Sequence, residues 1–118
     1  MRRVVLLTIG ILLLTTSLAS AQKKYSAAKA RDHVGEYATV VGKVYQVFES
    51  REGAFYLDIG GKNPSNTFTG VINARDANKF SDVRRCRAKI VEITGKIQAY
   101  HGTPEIILND PGQIKITK

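Results

Sequence analysis

Cysteine is almost absent from this sequence: among 118 residues only Cys86 carries a thiol. An internal disulfide is therefore excluded, and the fold must rest on a buried apolar core. Cys86 follows Phe80 and Val83 at a spacing of three residues, which is typical of a small apolar side chain on a buried face. We interpret Cys86 as a core residue, with a reactive or dimer-forming thiol as the alternative.

Catalytic and metal-binding patterns are scarce as well. The two histidines, His33 and His101, are far apart, and neither lies at a metal-ligand spacing from the cysteine. There is no nucleophile elbow and no phosphate loop ending in Lys-Ser or Lys-Thr. A secreted nuclease of the thermonuclease type would need acidic residues beside an arginine, but the Asp-Gly-Asp-Thr run of such enzymes is absent. The candidates for that role are Asp58, Asp76, Asp110 and Arg75. The sequence therefore predicts a protein that is not an enzyme and that has no cofactor or metal site.

The first 21 residues are expected to lie outside the fold. Met1-Arg2-Arg3 is basic, Val4–Leu14 is almost wholly apolar, and Ala19-Ser20-Ala21 ends the stretch with small residues. These are the three regions of a secretory signal peptide, and the apolar run is short for a membrane span. We predict cleavage after Ala21 and a periplasmic or secreted protein that is free of the membrane. A retained membrane anchor is the alternative.

The remaining chain, residues 22–118, is predicted to form one domain. Its length suits a single domain that buries one core. Without Arg2 and Arg3, the lysines and arginines number 16 rather than 18, against 10 aspartates and glutamates. The difference is a net charge of +6, which favours an anionic partner unless the basic residues are only a solvated surface.

Two stretches share an alternating pattern that places a glycine on the apolar side. The first is Val91–Ile97, which contains Gly95, and the second is Ala38–Tyr45, which contains Gly42. The inward side of the first stretch and its continuation is predicted to be Val91, Ile93, Ile97 and Ala99. A period of two residues is typical of a half-buried strand, and an inward glycine allows such a strand to bend sharply. Both stretches are predicted to be bent strands of a small barrel.

Five strands and two short helices are predicted in all. The strands are Glu36–Glu49, Phe55–Ile59, Thr67–Asn73, Val91–Ile97 and Ile106–Leu108. The helices are Gln22–His33, with Ser26 as a cap and Gly35 as a stop, and Ala74–Phe80, with Ala77 and Phe80 facing inward. Residues 81–87 form a basic connection. A helix between the third and fourth of five strands predicts an all-β protein with short helices, the five-stranded Greek-key barrel called the OB-fold.

The segments HVGEYATVVGKV, AFYLDIGG, TFTGVI and VEITGKIQAYHGTPEIILNDPGQI resemble the small secreted bacterial OB-fold proteins. These single-domain proteins are often described as nucleic-acid-binding or tRNA-anticodon-type OB domains. A more distant resemblance is to the periplasmic bacterial OB-fold family linked to stress tolerance. The resemblance implies the fold over nearly all of residues 22–118. It does not decide the function, because OB barrels bind oligonucleotides, sugars and proteins alike.

The candidate binding residues are basic, aromatic and polar side chains on the outer side of the alternation and in the loops. They are Lys43, Tyr45, Arg51, Tyr56, Lys62, Thr69, Asn73, Lys96, Tyr100 and His101. Lysine and arginine neutralise phosphates, and aromatic rings stack on unpaired bases. Phe55 and Phe68 alternate inward and are predicted to be core residues. The sequence thus predicts a non-catalytic exported protein that binds single-stranded nucleic acid or a similar polyanion. The alternative is a stress-related periplasmic module that binds a protein or envelope partner.

Overall fold

The computed structural model describes residues 23–118, so the predicted signal peptide and its cleavage site lie outside the described residues. This part of the chain contains eight strands: β1 Lys24–Ser26, β2 Tyr37–Glu49, β3 Phe55–Ile59, β4 Phe68–Ile72, β5 Ile90–Lys96, β6 Gln98–Tyr100, β7 Thr103–Ile107 and β8 Ile114–Ile116. It also contains four 3-10 helices: Ala27–His33, Ala74–Lys79, Val83–Cys86 and Pro111–Gln113. Within residues 23–118, no helix has the length and apolar character that crossing a membrane requires.

The strands pair in the order β6-β7-β4-β3-β2-β5-β8, and β1 adds to β2 in parallel. β2 is shared between two halves of the sheet. Its first half, Tyr37–Lys43, pairs with β5, and its second half pairs with β3 from Val44 onward. β4 and β7 are parallel, whereas the other pairs along this order are antiparallel. The long strand β2 therefore carries the chain from one half of the sheet to the other.

The mostly β class with short helices is confirmed, but the strands number eight rather than five. The predicted strands correspond to β2, β3, β4, β5 and β7, and the additional ones are β1, β6 and β8. β6 follows β5 after a single residue, Ile97, and pairs only with β7. The hydrogen-bonded order is an open path from β6 to β8, so a closed five-stranded barrel is not confirmed by the pairing.

The core is formed by the inward side chains of both halves of the sheet. Its fully buried large members are Phe68, Leu57, Ile59, Ile72, Ile93, Ile97, Ile106, Leu108, Val40, Val44 and Val91. The inward prediction is confirmed at positions 91, 93 and 97. It is wrong at Ala99, which is exposed because β6 lies at the end of the strand order. Phe68 is a core residue as predicted, whereas Phe55 is only partly buried and packs at the edge of the core.

The helices deviate from the sequence prediction mainly at the amino-terminal end. The helix predicted for Gln22–His33 begins at Ala27, because Lys24–Ser26 instead pairs with β2 as a parallel strand. Ser26 occupies the N-cap position, but its side chain makes no capping hydrogen bond. The second helix is confirmed. The basic connection of residues 81–87 contains a further short helix that buries Cys86, which is 6% exposed as a core residue should be.

A cluster of polar side chains ties β1 to the first helix. The Tyr25 hydroxyl donates to Glu36 Oε1 at 2.6 Å, and His33 Nδ1 lies 2.8 Å from Glu36 Oε2. The rings of Tyr25 and His33 stack with centroids 3.6 Å apart. Lys23 Nζ lies 3.8 Å from the same carboxylate. The hydroxyl of Tyr25, followed by His33, lowers the pKa of Glu36, because both contacts favour the charged carboxylate.

Candidate functional site

A groove of about 540 Å³ crosses the outer face of the half of the sheet formed by β2, β3, β4 and β7. Its size is within the range of ordinary ligand sites. We call it the aromatic groove, and its lining is Gln46, Phe48, Tyr56, Asp58, Asn63, Asn66, Thr69, Tyr100, His101, Thr103 and Glu105. The lining contains neither lysine nor arginine.

Four rings lie along this groove in two pairs. Phe48 and Tyr56 are register partners on β2 and β3, with ring centroids 6.3 Å apart and planes tilted by 34°. Tyr100 and His101, at the turn between β6 and β7, meet edge to face with centroids 4.2 Å apart. The side chains are accessible: Phe48 is 52% exposed, Tyr56 36% and Tyr100 63%. Exposed ring faces on a sheet surface can stack against flat ligand groups.

The floor of the groove is a polar row that follows the strand register. Gln46, Asp58, Thr69 and Glu105 are successive partners on β2, β3, β4 and β7. Asp58 is 4% exposed, and burial raises its pKa, partly offset by the backbone N–H of Asn63. Burial also raises the pKa of Glu105. Both shifts reflect the loss of water around a carboxylate.

Asn66 closes one side of this floor. Its Nδ2 atom donates to the carbonyl oxygen of Phe68 at 3.2 Å and to Thr69 Oγ1 at 2.8 Å. The amide is therefore fixed between the loop after β3 and the start of β4. Because Thr69 Oγ1 already accepts from Asn66, the hydroxyl hydrogen of Thr69 is available to donate to a ligand.

Six of the ten predicted binding residues lie in or next to the aromatic groove. Four line it: Tyr56, Thr69, Tyr100 and His101. Arg51 lies in the turn that joins the ends of β2 and β3, next to the Phe48–Tyr56 pair. Lys62 directly precedes Asn63, which lines the groove. Both cations therefore lie in loops that adjoin groove residues in the chain.

The other four predicted residues lie in two separate depressions. Lys43 and Tyr45 line one of about 480 Å³ together with Arg84 and Arg87, and Lys43 Nζ lies 5.3 Å from the centroid of the Tyr45 ring. Asn73 and Lys96 line another of about 590 Å³, together with Tyr37 and Arg75. The structure therefore brings Lys43 together with Tyr45, but Lys43 and Lys96 do not line the groove that holds Tyr56 and Tyr100.

Phe48 is the aromatic ring of the groove that sequence reasoning missed, and a bulge in β2 explains the omission. Val44 pairs with Ile59 and Gln46 pairs with Asp58, so Tyr45 is an extra residue without a partner. An extra residue reverses the two faces of the strand beyond it. Phe48 therefore faces the groove instead of the core. The spacing of three residues between two inward valines, Val44 and Val47, was the available signal, because strict alternation cannot bury both.

The acidic residues considered for nuclease chemistry do not converge. Asp76 bonds Lys79 Nζ at 2.9 Å and lies 3.8 Å from Arg75 Nε. Asp110 caps the last 3-10 helix by accepting from the backbone N–H of Gly112 at 2.8 Å. Asp58 alone lies in the groove. Within residues 23–118, no group of three histidine, cysteine, aspartate or glutamate side chains could hold a metal ion.

Comparison with known proteins identifies the fold. No protein-family model and no curated protein matches the chain. A protein assigned as an aspartyl-tRNA synthetase of Leishmania major Friedlin matches 86% of this chain with a TM-score of 0.56 and 7% identity. The aspartyl-tRNA synthetase of Entamoeba histolytica matches 85% with a TM-score of 0.56 and 14% identity. The matched region spans only 22% of each synthetase. At these identities the likeness defines the fold, which is OB-like.

Proposed function

We propose that this protein binds single-stranded nucleic acid in the aromatic groove and does not cut it. The observation that carries the proposal is the presence of four exposed rings, Phe48, Tyr56, Tyr100 and His101, along one groove of an OB-like fold. Unpaired bases stack on such rings with little dependence on sequence. Two of the solved structures of similar fold are aspartyl-tRNA synthetases, whose name includes a nucleic acid.

The charges suggest how a strand would lie. Asp58 and Glu105 in the floor repel phosphates, so the bases would face the floor and the phosphates would follow the rim. Arg51, in the turn between β2 and β3, and Lys62, next to Asn63 in the chain, are the cations that could neutralise them. With only two such contacts, the binding would be weak and would depend only moderately on salt.

The stacking part of the proposal is tested with a matched pair of aromatic substitutions. Tyr56→Ala and Phe48→Ala should each weaken the binding of a fluorescent single strand by about 1–3 kcal/mol, the usual contribution of one stacked base. Tyr37→Ala is the control, since Tyr37 is 63% exposed but lines a different depression. Fluorescence anisotropy at low salt measures all three. Undetectable binding by the unmodified protein would overturn the proposal.

The rim contacts are tested by salt titration. Lys62→Ala should reduce the slope of log K against log salt by about 0.7, the value for one phosphate contact on a single strand. Lys96→Ala should leave the slope unchanged, because Lys96 lines the depression with Tyr37 and Arg75. Equal effects of the two substitutions would assign the phosphate contacts to the general surface charge. A duplex of the same length should bind less well, since its bases are not free to stack.

Three further points belong to the proposal. The protein is exported, and mass spectrometry of the secreted or periplasmic fraction should find an amino terminus at Gln22. Retention of Val4–Leu14 would contradict export.

The protein is not an enzyme, so a bound oligonucleotide should remain intact with Mg²⁺ or Ca²⁺ and with EDTA. The fold is the five-stranded OB barrel, with β5 and β6 counted as one strand interrupted at Ile97.

A second candidate function is supported by the acidity of the floor. A groove with two carboxyls and without lysine or arginine also suits a basic or neutral segment of a protein partner. Such an interaction module, in the periplasm, would bind a lysine-rich peptide more tightly than any oligonucleotide. The anisotropy experiment distinguishes the two functions when both probes are used in the same buffer.

A further inference from the structure

We propose that Asp58 and Glu105 determine which bases the aromatic groove accepts, favouring guanine and rejecting thymine and uracil. This inference rests on the function proposed above. It goes further because neither phosphate binding nor stacking uses these two carboxyls, and the inference assigns them a role in base recognition.

The position of the two carboxyls is the first step of the argument. Asp58 and Glu105 flank Thr69 in one row across β3, β4 and β7. Neighbouring strands lie about 4.8 Å apart, so the Cα atoms of the two acids are separated by about 10 Å. The rings of Phe48 and Tyr56 lie beside this row, since they are the next outward residues on β2 and β3. A base stacked on those rings would present its edge to the carboxyls.

The Glu105 carboxyl has unsatisfied hydrogen-bonding capacity. In the part of the chain that the structure describes, residues 23–118, the Glu105 carboxyl takes part in no hydrogen bond or ion pair with another side chain. An ionised carboxylate only accepts hydrogen bonds. A ligand that covers Glu105 must therefore supply donors, because removing water from an unpaired carboxylate is costly. Asp58 already accepts from the backbone N–H of Asn63, but a carboxylate has two oxygens and can accept further hydrogen bonds.

The third step compares the base edges. Guanine carries two adjacent donors, N1–H and the N2 amino group, which match the two oxygens of one carboxylate. Thymine and uracil instead flank a single N3–H with two carbonyl oxygens, and these repel a carboxylate. Cytosine and adenine each offer one amino donor next to a ring nitrogen that accepts. Unpaired bases are commonly read on these edges, so the expected order is guanine first and thymine or uracil last.

Burial raises the pKa of both acids, because the charged form loses water in the groove. Donors from a guanine edge would replace that water. A base without adjacent donors is excluded because it would leave a buried carboxylate oxygen without a hydrogen-bond donor. Such an unpaired buried group is the strongest basis on which a polar site discriminates between ligands.

The experiment compares four single strands of equal length and equal charge. One consists of thymidine alone, and the others alternate thymidine with guanosine, adenosine or cytidine. The alternating guanosine strand should bind unmodified protein about tenfold more tightly than the thymidine strand, a typical discrimination for one bidentate contact. Asp58→Asn and Glu105→Gln should each reduce that ratio, because an amide presents one donor and one acceptor. Asp32→Asn, at an exposed carboxylate of the first helix, is the control and should keep it.

The outcomes separate this inference from the function on which it rests. If all four strands bind with equal affinity, or the thymidine strand binds best, the base preference is refuted while nucleic-acid binding stands. If no strand binds at low salt and a lysine-rich peptide does, both are overturned and the acids belong to a protein-binding site. Circular dichroism melting checks that the variants fold. Because Glu105 is less buried than Asp58, Glu105→Gln still decides the matter if the Asp58 variant does not fold.

Discussion

Replacement of Gly95 by alanine adds a single methyl group at a point where the interior has no room for it. A Cβ atom on Gly95 would lie 2.6 Å from Ile106 Cγ2 and 3.1 Å from Gln113 Nε2. Ile106 is fully buried and has no solvent into which it can move. Gln113 Nε2 donates to the carbonyl oxygens of Thr94 at 3.0 Å and Ile107 at 3.1 Å, so displacing that amide breaks both hydrogen bonds.

The expected loss of stability follows from three contributions. Overpacking a well-packed interior costs about 1–3 kcal/mol. Each displaced hydrogen bond adds about 0.5–1.5 kcal/mol. Alanine also restricts the unfolded chain, which opposes the loss by about 0.4–1 kcal/mol. We therefore expect Gly95→Ala to lower the free energy of unfolding by about 3 kcal/mol, with valine at the same position costing more.

Urea denaturation followed by far-ultraviolet circular dichroism measures this difference. Lys96→Ala is the matched control, because Lys96 is the next residue on β5 and is exposed. It should change the free energy of unfolding by no more than about 0.5 kcal/mol, as at ordinary surface sites. A Gly95→Ala variant as stable as the control would refute the close packing of β5 against β7.

Three other predictions follow from the structure. Gly42→Ala should destabilise the protein in the same urea experiment, since its Cβ would lie 2.5 Å from Ile59 Cγ2; unchanged stability would contradict that contact. The lowered pKa of Glu36, caused first by the Tyr25 hydroxyl, gives stability that is present above the pKa of an unfolded glutamate and lost as the pH falls through the lower folded value. Glu36→Gln should therefore melt below the unmodified protein near neutral pH and converge with it in acid; parallel curves would argue against the cluster. Cys86, whose pKa burial raises, should react slowly with iodoacetamide in the native protein and rapidly in urea; fast native labelling, seen by mass spectrometry, would show that it is accessible.

The longer strands could be predicted because their pattern is local. β2, β3 and β4 differ from the predicted ranges by one residue at most at either end, since alternation and turn residues mark where each begins and ends. β1, β6 and β8 have three residues each, too few for a period of two to be read. They exist because a longer strand lies beside them. Lys24–Ser26 pairs with Thr39–Val41, and this contact makes these three residues a strand, so that the helix begins only at Ala27.

The groove could be predicted only in part, because its composition depends on a single extra residue. Tyr56, Thr69 and Tyr100 followed from alternation and from the turn. Phe48 did not, since the bulge at Tyr45 reverses the faces of β2 within one residue. The same bulge separates Tyr45 from the groove. Asp58 and Glu105 were also outside the expected set, because carboxyls do not belong to the basic and aromatic pattern that is typical of a polyanion site.

The location of the positive charge depends on the division of β2 between the two halves of the sheet. Lys43 and Lys96 do point outward, as alternation predicts, but they belong to the half in which β2 pairs with β5. The aromatic groove lies on the other half, beyond the bulge. The net charge of +6 belongs to residues 22–118 as a whole, whereas attraction to a ligand depends on which face carries the charge. A nucleic-acid strand bound in the groove would therefore find no lysine or arginine among the lining residues, would depend on loop cations such as Arg51 and Lys62, and would be selected by the floor through its bases.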